Sequence, residues 1–158
     1  MKKHLFVTFL SLSLISPLAT AYDAELAQRL HTEVSSKLDR KYLAEGGCKV
    51  SAADILKSLS NKEKVVLLDV RTPAEQQVVG LTHPNALSIP LDNLMLKENL
   101  DKLSQYKDSK IVVVCYSGER AALATGLLQA AGVPNVSFLG GGLIQLVTAL
   151  TAKTAPMQ

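Results

Sequence analysis

The chain has 158 residues, of which 47% are hydrophobic, and 17 Lys and Arg against 14 Asp and Glu give a formal net charge of +3. This length predicts one domain, with a core of about five strands and their helices. The small net charge, the 4% aromatic content and the lack of tryptophan argue against a nucleic-acid partner, because such surfaces combine a basic patch with stacking rings.

The first 21 residues have the pattern of a secretory signal peptide. Lys2 and Lys3 precede an apolar run over residues 5–15, and Ala19 and Ala21 form an A-x-A cleavage site. The apolar run is well short of the roughly 20 residues that span a bilayer, which argues against a membrane anchor. We therefore predict a signal peptide over residues 1–21, cleaved after Ala21, and an exported, periplasmic protein.

Residues 22–47 are predicted to form an N-terminal helical extension. Within it, one helix is expected over residues 24–44, because apolar residues recur every four positions until two glycines end the pattern. The members of this apolar stripe are Leu26, Leu30, Val34 and Leu38. The stripe either packs on the chain's own domain or forms a contact with a second copy or a protein partner.

After the extension, short β-branched runs alternate with segments of helical periodicity. Strands are predicted over residues 49–51, 65–70, 86–89, 111–114 and 136–139, and helices over residues 52–59, 73–79, 94–103, 120–131 and 143–150. Parallel strands need crossover connections, so this alternation predicts an α/β fold with helices on both faces of a parallel sheet of about five strands. The domain is expected over residues 48–150, with a tail over residues 151–158.

Cys115 stands where the fourth predicted strand gives way to a loop and then to a helix. Gly118 permits the backbone conformation of a tight loop, and the alanine-rich run after Arg120 favours a helix. The sulfur would face loop amides, the positive end of a helix dipole and a guanidinium. All three favour the thiolate, which is the nucleophilic form of cysteine.

Three segments together resemble the rhodanese (sulfurtransferase) family: Asp69-Val70-Arg71, the loop from Cys115 to Arg120, and a glycine run at residues 140–142. The resemblance implies a rhodanese-like α/β fold in which Cys115 carries sulfur as a persulfide. It also implies two groups of site residues. The loop that binds the transferred group comprises Tyr116, Ser117, Gly118, Glu119 and Arg120, and the supporting residues are Asp69 and Arg71.

The predicted reaction moves sulfane sulfur from a small donor, thiosulfate or a persulfide, to a thiol or cyanide-like acceptor. No metal or organic cofactor is predicted, since loop amides can stabilise the charge. Four residues separate Cys115 from Arg120, whereas the cysteine phosphatases need five around a tetrahedral phosphate, so phosphatase activity is disfavoured. Tyr116, where the family often has arginine, and Glu119 lower the positive potential, which predicts that thiosulfate is a poor donor.

Two other functions stay open at the level of sequence. The chain could be a non-catalytic rhodanese-like binding module, although such modules commonly lack the cysteine. It could also be a thiol–disulfide protein that uses Cys48 with Cys115, the two cysteines of the chain. Within the site, Arg120 is expected to hold the loop or an anion, and Glu75 is expected to be a partner of Arg71.

Overall fold

The computed structural model describes residues 22–155. The predicted signal peptide lies outside the described residues, so its cleavage stays a prediction. Within residues 22–155, no helix is both long enough and apolar enough to cross a bilayer.

Five parallel strands form one sheet, which confirms the predicted fold class. The strands are β1 (Lys49–Val50), β2 (Val65–Asp69), β3 (Ala86–Ser88), β4 (Lys110–Val114) and β5 (Val136–Leu139), in the spatial order β1-β5-β4-β2-β3. The central position of β2 and β4 follows from their sequences, since continuous apolar runs suit strands that are covered on both faces. Every residue of β2 and residues 111–114 of β4 are buried.

Helices cover both faces of this sheet. They are α1 (Ala24–Glu33), α2 (Arg40–Ala44), α3 (Ala52–Ser60), α4 (Pro73–Val78), α5 (Lys97–Ser104), α6 (Glu119–Ala130) and α7 (Gly142–Ala149). One core joins α5 and α6 to the face of the sheet that carries Leu68 and Val113. A second core joins α3 and α7 to the opposite face, which carries Leu67 and Val114.

The predicted single helix over residues 24–44 is wrong, because the segment breaks between α1 and α2. The hydroxyl groups of Ser35 and Ser36 bond back to carbonyl groups four residues earlier, and Asp39 caps a new helix by accepting the backbone N–H of Tyr42 at 2.7 Å. Such side chains compete with helical hydrogen bonds. α1 lies against α6, while Leu26 and Leu30 stay partly exposed. Their contact with a partner or second copy remains a prediction.

A second boundary also differs from the prediction. The helix expected over residues 94–103 begins later, at Lys97, and a 3₁₀ turn over Leu91–Asn93 comes before it. The extended backbone of Leu96 separates the two elements. Leu94 lies between them with no exposed surface, so it contributes to the core from a connecting segment.

Candidate active site

Cys115 lies at the carboxyl end of the central strand β4, where parallel sheets of this kind place their ligands. Its side chain is buried, and its Sγ accepts a hydrogen bond from the backbone N–H of Gly118 at 3.1 Å. Gly118 has a φ of +116° and caps α6, so the chain reverses around the sulfur before the helix begins. A residue with a side chain would rarely adopt this conformation.

The start of α7 holds the loop through two backbone hydrogen bonds. The backbone N–H of Leu143 donates to the carbonyl oxygen of Cys115 at 2.8 Å, and that of Ile144 donates to the carbonyl oxygen of Tyr116 at 3.3 Å. These bonds direct two loop carbonyl groups towards α7, while a loop N–H faces the sulfur. The loop is therefore fixed in an orientation that presents a donor to the reactive atom.

This close approach of α7 depends on Gly142. A Cβ at this position would lie 2.5 Å from the carbonyl oxygen of Cys115 and 2.7 Å from the backbone nitrogen of Ser117, and the φ of Gly142 is +58°. Both contacts are with backbone atoms, which cannot rotate away as a side chain can. The glycine run at residues 140–142 is plain in the sequence, but its role in letting a helix end reach the loop is visible only in the fold.

We expect Gly142→Ala to lower activity at least about tenfold and to destabilise the fold by about 1–3 kcal/mol, because the left-handed backbone and the clash both act against alanine. Gly126→Ala is the matched control. Gly126 lies within α6, and nothing lies within 4 Å of a Cβ placed there, so alanine should be neutral or slightly stabilising. Urea unfolding and initial rates of both variants test this. Equal behaviour of the two would contradict the assigned role of Gly142.

Arg120 closes the other side of the loop by pairing with Glu75. Its two terminal nitrogens contact the two carboxylate oxygens of Glu75 at 2.8 and 2.6 Å, across 45 residues of sequence. Glu75 also accepts hydrogen bonds from the backbone N–H and hydroxyl of Thr72, which completes a capping box at the start of α4. The hydrogen bonds from Arg120 and Thr72 hold the pKa of Glu75 well below its usual value. The pair therefore persists at pH values where an isolated glutamate would be protonated.

The expected pairing of Glu75 with Arg71 is wrong. Arg71 is 2% exposed and instead binds Asp69, with Nε 2.9 Å from Oδ1 and a terminal nitrogen 2.6 Å from Oδ2. The same terminal nitrogen donates to the carbonyl oxygen of Val79 at 2.7 Å, just after α4. Because Arg71 sits two residues after Asp69, the ion pair forms locally and leaves Glu75 free for Arg120. These two pairs fix α4 at both of its ends.

The remaining loop residues form the rim of the site. Tyr116 is 56% exposed, and Glu119 is exposed at the first turn of α6. The carboxylate of Glu119 accepts hydrogen bonds from the hydroxyl of Ser117 and from its own backbone N–H, and these bonds lower its pKa below the usual value. Glu119 therefore keeps an exposed negative charge at the start of α6, four residues after Cys115, whereas Arg71 and Arg120 are both paired with carboxylates.

The second cysteine lies away from this site. Lys49 of β1 pairs with Phe138 of β5, and Phe138 pairs with Val113 of β4. Cys48 precedes Lys49 by one residue, so it is level with Val112. Cys115 therefore lies two strands away from Cys48 and three residues further along the strand direction. Strand spacing and rise convert this offset to about 14 Å. A disulfide needs Cα atoms within about 7 Å. Both cysteines are free, and the register argues against a bond between them within one chain.

Comparison with known sequences identifies the domain. The sequence model of the family described as "Rhodanese-like domain" matches residues 52–148, which is more than half of the chain. The chain belongs to the rhodanese-like domain family. The matched region includes Asp69, Arg71, the loop after Cys115 and most of α7.

Relatives of this rhodanese-like domain differ in size and in name. An adenylyltransferase and sulfurtransferase of Candida albicans is 37% identical over 101 residues, which are 60% of this chain and 22% of that protein. A sulfurtransferase of Allochromatium vinosum is 31% identical over 96 residues, covering 60% and 83% of the two chains. A tRNA uridine(34) hydroxylase of Erwinia tasmaniensis is 32% identical over 114 residues, covering 71% and 32%. The chain thus spans about a fifth to a third of the first curated relatives that it matches.

Solved structures agree with the fold. A rhodanese-related protein of Thermoplasma volcanium superposes with a TM-score of 0.52 at 27% identity, covering 63% of this chain and 90% of that one. Proteins named as sulfurtransferases and proteins named as tRNA uridine(34) hydroxylases thus both contain a region similar to this domain. Within residues 22–155, no group of His, Cys, Asp and Glu side chains could hold a metal ion.

Proposed function

We propose that this rhodanese-like chain is an exported, periplasmic sulfurtransferase that carries sulfane sulfur as a persulfide on Cys115. The observation that carries the proposal is the placement of the Cys115 sulfur, at the end of β4 and within 3.1 Å of the Gly118 N–H. A donor of this kind stabilises a negative sulfur in both the thiolate and the persulfide. The signal-like pattern of residues 1–21 supports export.

The proposed reaction has two halves that share one intermediate. The thiolate of Cys115 attacks the outer sulfur of the donor, a new S–S bond forms, and the bond from that sulfur to the rest of the donor breaks. With thiosulfate, sulfite leaves with the electron pair. A thiol or cyanide-like acceptor then takes the outer sulfur and restores the thiolate, so the kinetics are ping-pong.

Arg120 supports this chemistry by position. Its hydrogen bonds to Glu75, with a smaller effect of the nearby Cys115 sulfur, raise the pKa of its guanidinium above the usual value. The bidentate pair with Glu75 keeps the cation beside the loop, where it adds to the attraction for a thiolate. Asp69 and Arg71 do not donate to the sulfur, and they act by holding α4, which carries Glu75.

Intact mass spectrometry tests the persulfide directly. Incubation with thiosulfate or an organic thiosulfonate should add about 32 Da to the purified protein, and later addition of cyanide should remove it, because one sulfur atom is gained and then lost. A protein that never gains this mass with any donor would contradict sulfur transfer and favour a non-catalytic binding module. A loss of about 2 Da on oxidation would instead indicate a disulfide.

Glu119 provides a prediction about donor charge. We expect Glu119→Gln to lower the KM for thiosulfate about two- to fivefold at low salt, since it removes a rim charge that repels a dianion. The gain should shrink as salt rises. Glu45→Gln, at an exposed position just before β1 and hence at the amino edge of the sheet, is the control and should have no effect. Unchanged thiosulfate kinetics in Glu119→Gln would show that this carboxylate does not influence the donor.

A further inference from the structure

An open apolar groove lies beside the catalytic loop, with a volume of about 680 Å³. Its walls are the end of α4, the start of α7 and the residue that follows Cys115. The apolar side chains that line it are Val78, Val79, Tyr116, Leu143, Ile144 and Val147. All of them except Leu143 are exposed, with Val78 84% and Val147 56% exposed, so they form one apolar patch on the surface.

Three polar side chains of the groove are already bound within the protein. Arg71 is paired with Asp69, Glu75 is paired with Arg120, and the hydroxyl of Thr148 donates to the carbonyl oxygen of Ile144 at 2.8 Å. The groove therefore offers a ligand apolar contact and no unpaired charge. A doubly charged donor would gain little in this environment, and the exposed Glu119 carboxylate at the start of α6, in the loop that follows Cys115, would repel it.

The groove is joined to the reactive sulfur by the loop itself. Tyr116 lines the groove and directly follows Cys115, and Leu143 and Ile144, which also line it, donate their backbone N–H groups to the carbonyl oxygens of Cys115 and Tyr116. A donor whose outer sulfur reaches Cys115 thus has the groove beside it for the rest of the molecule. The volume is in the range of small-molecule sites.

We propose that the sulfur donor of this chain is a small organic sulfane-sulfur compound with an apolar body, which lies in the groove formed by Val78, Ile144 and Val147 beside Cys115. This inference rests on the proposed function and names its substrate class. With a thiosulfonate as donor, the thiolate of Cys115 bonds to the terminal sulfur and the S–S bond of the donor breaks. The electron pair leaves with the sulfinate, so no oxidant or reductant is needed.

Two thiosulfonates of equal charge test the role of the apolar body. Methanethiosulfonate and benzenethiosulfonate carry the same reactive group. The kcat/KM of the benzene compound is divided by that of the methane compound, and this ratio is then divided by the ratio of their second-order rate constants with a free thiol in solution. The resulting corrected ratio isolates the binding of the ring from its intrinsic reactivity. We expect this corrected ratio to be about tenfold or more in favour of the ring, because partial burial of a phenyl group in an open groove contributes on this scale.

Variants then locate the effect. Val147→Asn and Val78→Asn replace exposed side chains, so the fold should be retained, and each should lower the corrected ratio about three- to tenfold. Leu43→Asn is the matched control, because Leu43 is 60% exposed in α2 near the amino edge of the sheet, and it should keep the ratio of the parent.

The outcomes separate the inference from the proposed function. A corrected ratio near one in the parent, or groove variants that behave as Leu43→Asn does, would overturn the groove as the donor site while sulfur transfer itself stands. Failure of both thiosulfonates and of thiosulfate to transfer sulfur would instead contradict the proposed function.

Discussion

Cys115→Ser is expected to lower sulfur transfer at least about a thousandfold, because a hydroxyl group is a poor nucleophile and cannot form a persulfide. The fold should survive, since serine is close to cysteine in size and its oxygen can accept the same N–H of Gly118. Steady-state rates with thiosulfate and an organic thiosulfonate, together with a urea unfolding curve, measure the two effects separately.

Cys48→Ser is the matched control for this experiment. Cys48 is partly exposed and lies before β1, at the opposite edge of the sheet from the loop, so its replacement should leave the rate and the persulfide mass as in the parent. Equal loss of activity in both variants would favour the thiol–disulfide alternative. Substantial transfer by Cys115→Ser would contradict the proposed carrier.

The parts of the fold that the sequence predicted are those encoded by neighbouring residues. The apolar runs of β2 and β4 require two covered faces, which a parallel sheet with helices on both sides provides. The strand, Cys115, Gly118 and the following helix lie within one short segment, so their mutual geometry follows from local chemistry. Each of these features could be inferred without knowledge of what lies nearby in space.

Two features of the site that sequence reasoning missed depend on contacts between distant segments. Glu75 and Arg120 are 45 residues apart, and only the pairing of β2 with β4 brings their elements together. The backbone hydrogen bonds that Leu143 and Ile144 donate to the loop likewise form only because β5, which leads into α7, lies next to β4. In the N-terminal extension, local hydroxyl and carboxylate hydrogen bonds break a helix that the apolar spacing favours.

Asp69→Asn is expected to destabilise the protein by about 3–5 kcal/mol, because it leaves the guanidinium of Arg71 buried without its counter-charge. Both side chains are less than 5% exposed, so water cannot replace the lost carboxylate. Lys97→Met is the matched control, because Lys97 pairs with Asp101 at 2.5 Å on the surface, where the two side chains are 85% and 62% exposed. Loss of an exposed pair of this kind should cost less than about 1 kcal/mol.

The same buried pair should control activity from a distance. Arg71 binds the carbonyl oxygen of Val79, so it anchors the end of α4, while Glu75 at the start of α4 holds Arg120 beside Cys115. We therefore expect Asp69→Asn to slow sulfur transfer at temperatures where it is still folded. The double variant Asp69→Leu with Arg71→Met removes both buried charges and should recover much of the stability, since apolar replacements of buried pairs are often neutral. It should not recover the rate, because the anchor on Val79 stays absent. Recovery of the rate together with stability would show that the pair serves the fold alone.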